Sequence, residues 1–425
     1  MSQHSQDSSG RHALGPTDGP GGSPVRELDL VLLGATGFTG GLTARELAQH
    51  APTGLRWAVA GRDPARLDQL VESLADTQCP PSAWIVVDAS KPALLDGLVR
   101  RTAAVVSTVG PYLEHGEPLV RACATHGTHY LDLTGEPEFV DRMYDLHHAR
   151  AVGSGAKLVH ACGFDSVPHD LGAQFTVEQF TVEQLGSQQT DGQVQDPGVP
   201  ITMRGVVRTS GSFSGGTLHS ALGAISRRKE AKRAADRRRR REKRPTDRRA
   251  RVVSLPPRRD EALGVWLLPL PTIDPAVVVR SARALPEYGP DFSYSHHVGV
   301  ARTSRAVMTA GGALGLVAAA QVPPLREAIG KRVPRGSGPS PERWERSRFS
   351  VDFIAEAGGR TVHTRVSGGD PGYTETSKML AQAALCLLLD DVPEVSGQVT
   401  TAVAMGPALR RRLVERGIGF EVLDA

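Results

Sequence analysis

The residues best suited to chemistry come early in the chain. Gly34-Ala-Thr-Gly-Phe-Thr-Gly40 spaces three glycines three residues apart. Glycine allows a tight turn and a close backbone approach to phosphate, and the amides at a helix start carry partial positive charge. The triplet therefore reads as a cradle for a dinucleotide pyrophosphate, lined by Gly34, Thr36, Gly37, Phe38, Thr39 and Gly40. Its spacing is GxxGxxG rather than GxGxxG, so it carries weight only with a strand before it and a helix after. About 20 residues on, an NAD site would place an acid against the ribose hydroxyl. This chain offers Gly61-Arg62 instead. A guanidinium grips a 2′-phosphate with two parallel bonds, which selects NADP(H). Asp63, ahead of Pro64, reads better as the cap of the next helix.

Further along, Asp88 could accept from an adenine amino group or simply cap a helix, and Thr108-Val109-Gly110-Pro111 would lie beside the nicotinamide ribose. Tyr112, His115, Asp132 and Glu136 are candidate proton donors, although each also reads as a turn or cap residue. A tyrosine with a lysine four residues later is excluded: the fourth neighbours of the six tyrosines are Gly116, Thr134, His148, Phe292, Val298 and Ser377.

The elements that must hold these residues alternate. An apolar strand at 28–33 runs into the glycines and a helix at about 41–49, and a second strand at 56–60 leads to a helix beginning at Pro64. Strands at 84–87, 103–107, 128–131 and 157–159 alternate with helices near 92–99, 118–126 and 137–149. Residues 27–160 are thus expected to form a Rossmann-type doubly wound parallel sheet. After Gly163 the pattern changes to longer segments, with strands at 201–208 and 349–357, predicting a second α+β domain over 161–371. A helical segment over 372–425 would close on either domain, and residues 1–26 read as a disordered tail without the basic start and apolar run of a secretory signal.

The net charge of +4 is local. Residues 227–251 hold 15 Lys or Arg against 4 Asp or Glu, an excess of 11, which leaves the rest of the chain at −7. That balance argues against a broad nucleic-acid-binding face. The basic run is expected to be a mobile, solvated insertion, dispensable for cofactor binding, or else a lure for an acidic carrier protein or anionic membrane. Cys79, Cys123, Cys162 and Cys386 are scattered, with no CxxC pair and no His/Cys cluster at zinc spacing. Neither a disulfide framework nor a metal site is suggested, and a cytoplasmic setting fits. The apolar stretch at 306–320 is interrupted by glycines and falls short of the ~20 residues a membrane span needs. It reads as a buried helix or as a greasy surface for membrane or lipid substrate, with peripheral plasma-membrane contact left open.

Taken together, Gly34-Ala-Thr-Gly-Phe-Thr-Gly40, Ala60-Gly-Arg62, Val109-Gly-Pro-Tyr112, Tyr130-Leu-Asp-Leu-Thr-Gly-Glu136, Cys162-Gly-Phe-Asp-Ser-Val-Pro168, Ser214-Gly-Gly-Thr217 and Gly369-Asp-Pro-Gly-Tyr373 resemble the saccharopine dehydrogenase-like oxidoreductases, and within them the trans-acting enoyl reductases. The resemblance implies NADPH-dependent reduction of a carbon–carbon double bond in an acyl or polyketide thioester, performed for a synthase lacking its own reductase. It does not imply saccharopine as substrate. The basic run departs from the family pattern. A non-catalytic NADP-binding protein docking on lipid surfaces is the competing reading, and fold alone cannot separate the two.

Overall fold

The apolar runs of the first half become parallel strands: β1 (Leu28–Leu33), β2 (Trp57–Gly61), β3 (Ala83–Val86), β4 (Thr102–Ser107), β5 (His129–Asp132) and β6 (Lys157–Val159). The computed structural model describes residues 26–184, 198–210, 226–243, 245–309, 311–312 and 345–423. Side by side the strands run β6-β5-β4-β1-β2-β3. β1 pairs with β2 on one side and β4 on the other, Leu30 facing both Trp57 and Ala104, so chain order reverses at β1. A crevice opens at the carboxyl ends of the strands at such a reversal. Helices α1 (Phe38–His50), α2 (Pro64–Ser73), α3 (Pro92–Arg100), the short α4 (Tyr112–His115), α5 (Glu117–His126) and α6 (Pro137–Ser154) make the connections. With both sheet faces covered, the centre of the sheet is apolar: Leu30, Val31 and Leu32 have no exposure.

α7 (Val167–Gln184) leads into a mixed second sheet of β7 (Ile201–Thr209), β8 (Arg249–Val252), β9 (Arg258–Asp260), β10 (Val265–Pro269), β11 (Asp291–Val300), β12 (Phe349–Ala357) and β13 (Arg360–Gly368). α7 lies close against this sheet because Gly172 lacks a Cβ, which would sit 2.3 Å from the Phe353 ring. The final segment, expected to be helical, does more. After α10 (Thr374–Leu389) it adds β14 (Gly397–Val399) beside β6 in the first sheet, and after α11 (Thr401–Ala404) and α12 (Gly406–Glu415) it adds β15 (Gly419–Leu423) beside β13 in the second. One continuous apolar cluster runs through both sheets, from Leu30 and Trp57 to Phe353 and Met379.

The expectation of a mobile basic insertion is wrong. Arg228–Arg241 form a helix, α8, that docks on α6, and Arg249–Val252 pair with β11. α6 supplies the counter-charges from one face, at the three- and four-residue spacing that brings side chains together on a helix. Arg227 reaches Glu138 at 2.7 Å, Arg241 and Arg237 reach Asp145 at 2.8 and 3.2 Å, and Arg238 pairs with Asp141 and Glu242. Ala234 packs beneath with no exposure. The charge count of 227–251 in isolation missed an acidic partner about a hundred residues upstream. The segment Ser214–Thr217, most of residues 306–320 and the N-terminal tail lie outside the described residues. No helix among the described residues is long and apolar enough to cross a membrane. α9 (Asp274–Ala284) packs beside α7 on the second sheet, against β8 and β11.

Candidate functional site

Where β1 ends, Gly34 turns at φ +88°, and a Cβ there would lie 2.7 Å from Thr108 Oγ1 and 2.9 Å from Val109 Cγ2. The Thr108 hydroxyl in turn donates towards the carbonyls of Leu33 and Gly34, at 3.2 and 3.1 Å, tying the ends of β1 and β4 together. Gly40 is packed just as tightly, its absent Cβ falling 2.2 Å from the Gly34 carbonyl oxygen. Gly37 differs. Its backbone is extended (φ −75°, ψ 168°), and a Cβ would meet only the Gly34 oxygen, at 3.2 Å. Protein packing therefore demands glycine at 34 and 40 but not at 37. Gly37 precedes α1, whose first turn has no side-chain cap, and the ring of Phe38 stands edge-on to Tyr373 at 4.8 Å.

Arg62 follows β2 and is exposed beside this loop. Asp63 caps α2 by accepting from the Arg66 amide at 3.2 Å, and the Arg66 guanidinium donates to the Thr36 carbonyl at 2.7 Å. Two guanidiniums thus stand at the far end of the cradle; only Arg62 was read from the sequence. Asp88 accepts from the amide and hydroxyl of Ser90 at 2.9 and 2.8 Å, and these bonds hold its carboxyl below the ordinary range.

On the other side of the crevice, after a cis Gly110-Pro111 bond, three of the four proton-donor candidates are occupied with holding loops. The Tyr112 hydroxyl donates to the Ser107 carbonyl at 3.0 Å and accepts from the Leu133 amide at 3.2 Å; burial pushes its pKa well up. Glu136 accepts from the Leu113 amide at 2.8 Å. Asp132 accepts from the amides of Thr134 and Ala161 at 3.0 and 2.9 Å and meets His160 Nδ1 at 2.6 Å. His115 is exposed, 3.7 Å from Glu114.

A second polar group, unread in the sequence, lies beyond them. Asp165 follows β6, and its Oδ2 is 3.0 Å from where a Cβ on Gly135 would be. Burial, reinforced by the charge of Asp274, pushes its carboxyl up to about 7. Asp274, at the start of α9, has Oδ1 at 3.1 Å from His169 Nδ1 and Oδ2 at 3.5 Å from His296 Nε2, and it accepts from the Thr272 hydroxyl. Its burial opposes ionisation, but His169, His296 and Thr272 together hold its carboxyl below the ordinary value. Burial pushes His169 down to about 4, and Tyr294 meets His296 Nδ1 at 3.1 Å. His169, Asp274 and His296 place nitrogen and oxygen ligand atoms within 4.8 Å of one another, a donor set that a divalent transition metal could take. Their places in the sequence, on three different elements, carry no spacing signal. For Asp165 the signal was there, in Gly-Phe-Asp-Ser directly after a parallel strand.

A cavity of about 770 Å³ is lined by Phe349, Gly369, Asp370 and Glu375. On one side Asp370 accepts from the amide of Tyr373, which touches Phe38. On the other, Phe349 packs on Phe164 at 4.9 Å and Phe164 on His169 at 5.4 Å.

A glycine-turned strand–helix junction, guanidiniums at the end of the second strand and a cleft at the switch point define a dinucleotide-dependent oxidoreductase. Residues 30–155 match the saccharopine dehydrogenase NADP binding domain. The fold is also that of apo saccharopine dehydrogenase (L-Glu forming) from Saccharomyces cerevisiae, with a TM-score of 0.52 at 12% identity over 93% of this chain and 100% of that one. A Mycobacterium tuberculosis relative bearing the name trans-acting enoyl reductase is 37% identical over 93% of this chain and 97% of its own. The trans-acting enoyl reductase of Mycobacterium ulcerans is 33% identical over 93% of this chain and 98% of its own. The chain belongs to the trans-acting enoyl reductase family.

Proposed function

We propose that this protein reduces a carbon–carbon double bond of an acyl or polyketide thioester, using NADPH. The observation that carries the reading is the glycine loop: Gly37 faces space bordered only by the Gly34 carbonyl oxygen, directly before an uncapped helix start, with Arg62 and Arg66 beyond it. A pyrophosphate fits that space and a 2′-phosphate fits the two guanidiniums. Gly34, Thr36, Phe38, Thr39 and Gly40 shape the cradle, Asp88 borders the adenosine end, and Thr108, Val109, Gly110 and Pro111 border the nicotinamide ribose. NADPH, when bound, supplies a hydride to the β carbon of the enoyl group. The chain's part is to hold the thioester over that position, exclude water and deliver a proton to the α carbon.

The thioester arrives on an acidic carrier protein, and α8 is its landing surface. α8 exposes Arg228, Lys229, Lys232, Arg233 and Arg240. It begins beside Arg227, which is paired with Glu138 two residues from the Glu136 loop at the crevice mouth. Complementary charge of this kind steers encounter and fixes orientation more than it adds affinity.

The test is NADPH oxidation against a panel of enoyl thioesters, each offered on an acidic carrier and as a small pantetheine thioester. The expected result is one NADPH oxidised per double bond reduced. Carrier-bound turnover should weaken steeply with salt, while turnover of the small thioester barely changes. NADPH binding without oxidation on any enoyl thioester would refute the reductase reading.

A further inference from the structure

Three buried side chains from three elements of the second domain meet without satisfying one another. His169 in the first turn of α7, Asp274 at the start of α9 and His296 in the middle of β11 are 1%, 3% and 5% exposed. His169 Nδ1 lies 3.1 Å from Asp274 Oδ1, and His296 Nε2 lies 3.5 Å from Asp274 Oδ2. A hydrogen-bonded His–Asp–His cluster would align each ring N–H on a carboxylate oxygen. That alignment is missing. Among the described residues both nitrogens of His169, Nε2 of His296 and Oδ1 of Asp274 are buried without an aligned hydrogen-bond partner, although the Phe164 backbone passes close to His169. Four such atoms in one spot have all given up their bonds to water, a deficit that folded proteins rarely carry unless an ion or water makes it good.

We propose that His169, Asp274 and His296 bind one divalent transition-metal ion of the zinc class. Zinc bonds of about 2.0–2.1 Å in a tetrahedron put neighbouring ligand atoms about 3.3 Å apart. The 3.1 and 3.5 Å separations bracket that edge. The three ligand atoms all lie within 4.8 Å of one another, a spread that small side-chain rotations close onto one centre. Two imidazoles and a carboxylate suit zinc and its neighbours, whereas calcium and magnesium prefer shells made of oxygen alone.

The surroundings fit the outer shell of such a site. The Tyr294 hydroxyl meets His296 Nδ1 at 3.1 Å, and with Nδ1–H donating to it the lone pair is on Nε2, the atom nearest Asp274. The Thr272 hydroxyl donates to Asp274 Oδ2 and fixes the carboxylate. A second acid, Asp165, lies in the field of Asp274, so two carboxyls stand ready to balance a divalent charge. Three protein ligands leave a fourth position for water. The ion would clamp α7 and α9 to β11. Ring contacts of His169 with Phe164 and of Phe164 with Phe349, at 5.4 and 4.9 Å, link the clamp to a wall of the cavity. The site stands apart from the reductase reading, and none of its tests uses turnover.

The full-length protein is stripped with a chelator and titrated with Zn²⁺, and with Co²⁺ as a spectroscopic probe. One equivalent of Zn²⁺ should bind with Kd below ~1 μM and raise the melting temperature. Bound Co²⁺ should show the intense visible bands of a tetrahedral ion. Asp274→Asn, which keeps the shape of the side chain, and His169→Ala should each weaken binding at least ~100-fold, and Tyr294→Phe, which unties His296, roughly 10-fold. His297→Ala, set among Arg204, Arg258 and Asp260 on the other face of β11, should bind as the wild type does. A stripped wild type with a Zn²⁺ Kd above ~100 μM overturns the site. Wild-type affinity in folded His169→Ala and Asp274→Asn proteins does the same, and so does Ca²⁺ or Mg²⁺ bound in preference to Zn²⁺. Should His169→Ala fail to fold, the wild-type titration and Asp274→Asn still decide.

Discussion

The three glycines of the loop should separate into two kinds when each is given a methyl group. At Gly40 an added Cβ would stand 2.2 Å from the Gly34 oxygen and 2.9 Å from the Ala35 Cα, both backbone atoms that cannot move aside cheaply. Gly40→Ala should therefore destabilise the fold by about 2–3 kcal/mol, the cost of an overpacked core site. At Gly37 the backbone is in the extended region open to any L residue, and the nearest atom to an added Cβ is 3.2 Å away. Gly37→Ala should change stability by less than about 1 kcal/mol, with the lost chain entropy of the unfolded state and the weaker cap nearly offsetting. The methyl would nevertheless occupy the position from which the backbone approaches the pyrophosphate. NADPH affinity should fall at least ~100-fold, or about 2.8 kcal/mol at ~1.4 kcal/mol per decade, and further in Gly37→Val. Calorimetric titration with NADPH, run beside chemical denaturation of the same preparations, reads both quantities. A folded Gly37→Ala protein with wild-type NADPH affinity would show that the loop is only a turn, and the cofactor site would have to be sought elsewhere.

Cofactor choice should follow the two guanidiniums: NADPH should bind at least ~10-fold more tightly than NADH, and Arg62→Ala with Arg66→Ala should erase the difference in a two-nucleotide titration; a ratio unchanged in the double variant would remove the argument for 2′-phosphate recognition. Arg238→Ala should cost roughly 3 kcal/mol in urea denaturation, because it strands the half-buried Asp141 and removes one of the three guanidiniums around Glu242, whereas Arg240→Ala, on the solvent side of α8, should stay within ~0.5 kcal/mol; equal effects would mean that α8 is not docked on α6. In the metal-free protein Asp165 should also carry a pH signature in stability. Its folded-state value, about 7, lies above the unfolded value of 3.8, so the folded form binds the extra proton and stability is lost as pH rises through that window. Asp165→Asn should match the wild type below pH ~4 and melt higher than it above pH ~7; a constant offset across the range would refute the raised carboxyl.

How much of this was legible depended on whether the partners were near in sequence. Strand β1, the glycines and α1 are contiguous, so one window of 23 residues contains both the pattern and its meaning. The Asp63 cap was legible for the same reason, and so was the sheet, since each strand is followed by its own helix. Arg66 was not, because its role depends on the chain folding back so that the guanidinium reaches Thr36, 30 residues away. The basic run failed as an isolated count. Its meaning lies in Glu138, Asp141 and Asp145, which look unremarkable until α6 lines them up. Tyr112, Asp132 and Glu136 were singled out as proton donors by type and position, yet the loops they sit in use their oxygens to hold the Leu113, Leu133 and Thr134 amides. The buried polar group is the extreme case: Asp165, His169, Asp274 and His296 become neighbours only when α7, α9 and β11 meet.

That meeting is enforced by the end of the chain, and it joins the two halves of the site. β14 extends the first sheet at β6, the strand that leads to Asp165, while β15 closes the second sheet at β13. Between them Thr400 and Thr401 bond Ser281 of α9 and Asp170 of α7, at 2.6 and 2.7 Å, fixing the helices that carry Asp274 and His169. The same segment reaches the cofactor loop: Ser377 donates to the Thr39 carbonyl at 3.4 Å, and Gln382 and Arg416 hold Glu46 of α1 at 3.2 and 3.0 Å. α10 therefore contacts the glycine loop while its continuation holds α7 and α9. A shift of α1 on its strand would be transmitted along α10 to α7 and α9, so the geometry of reduction depends on a tail whose sequence shows no chemistry of its own.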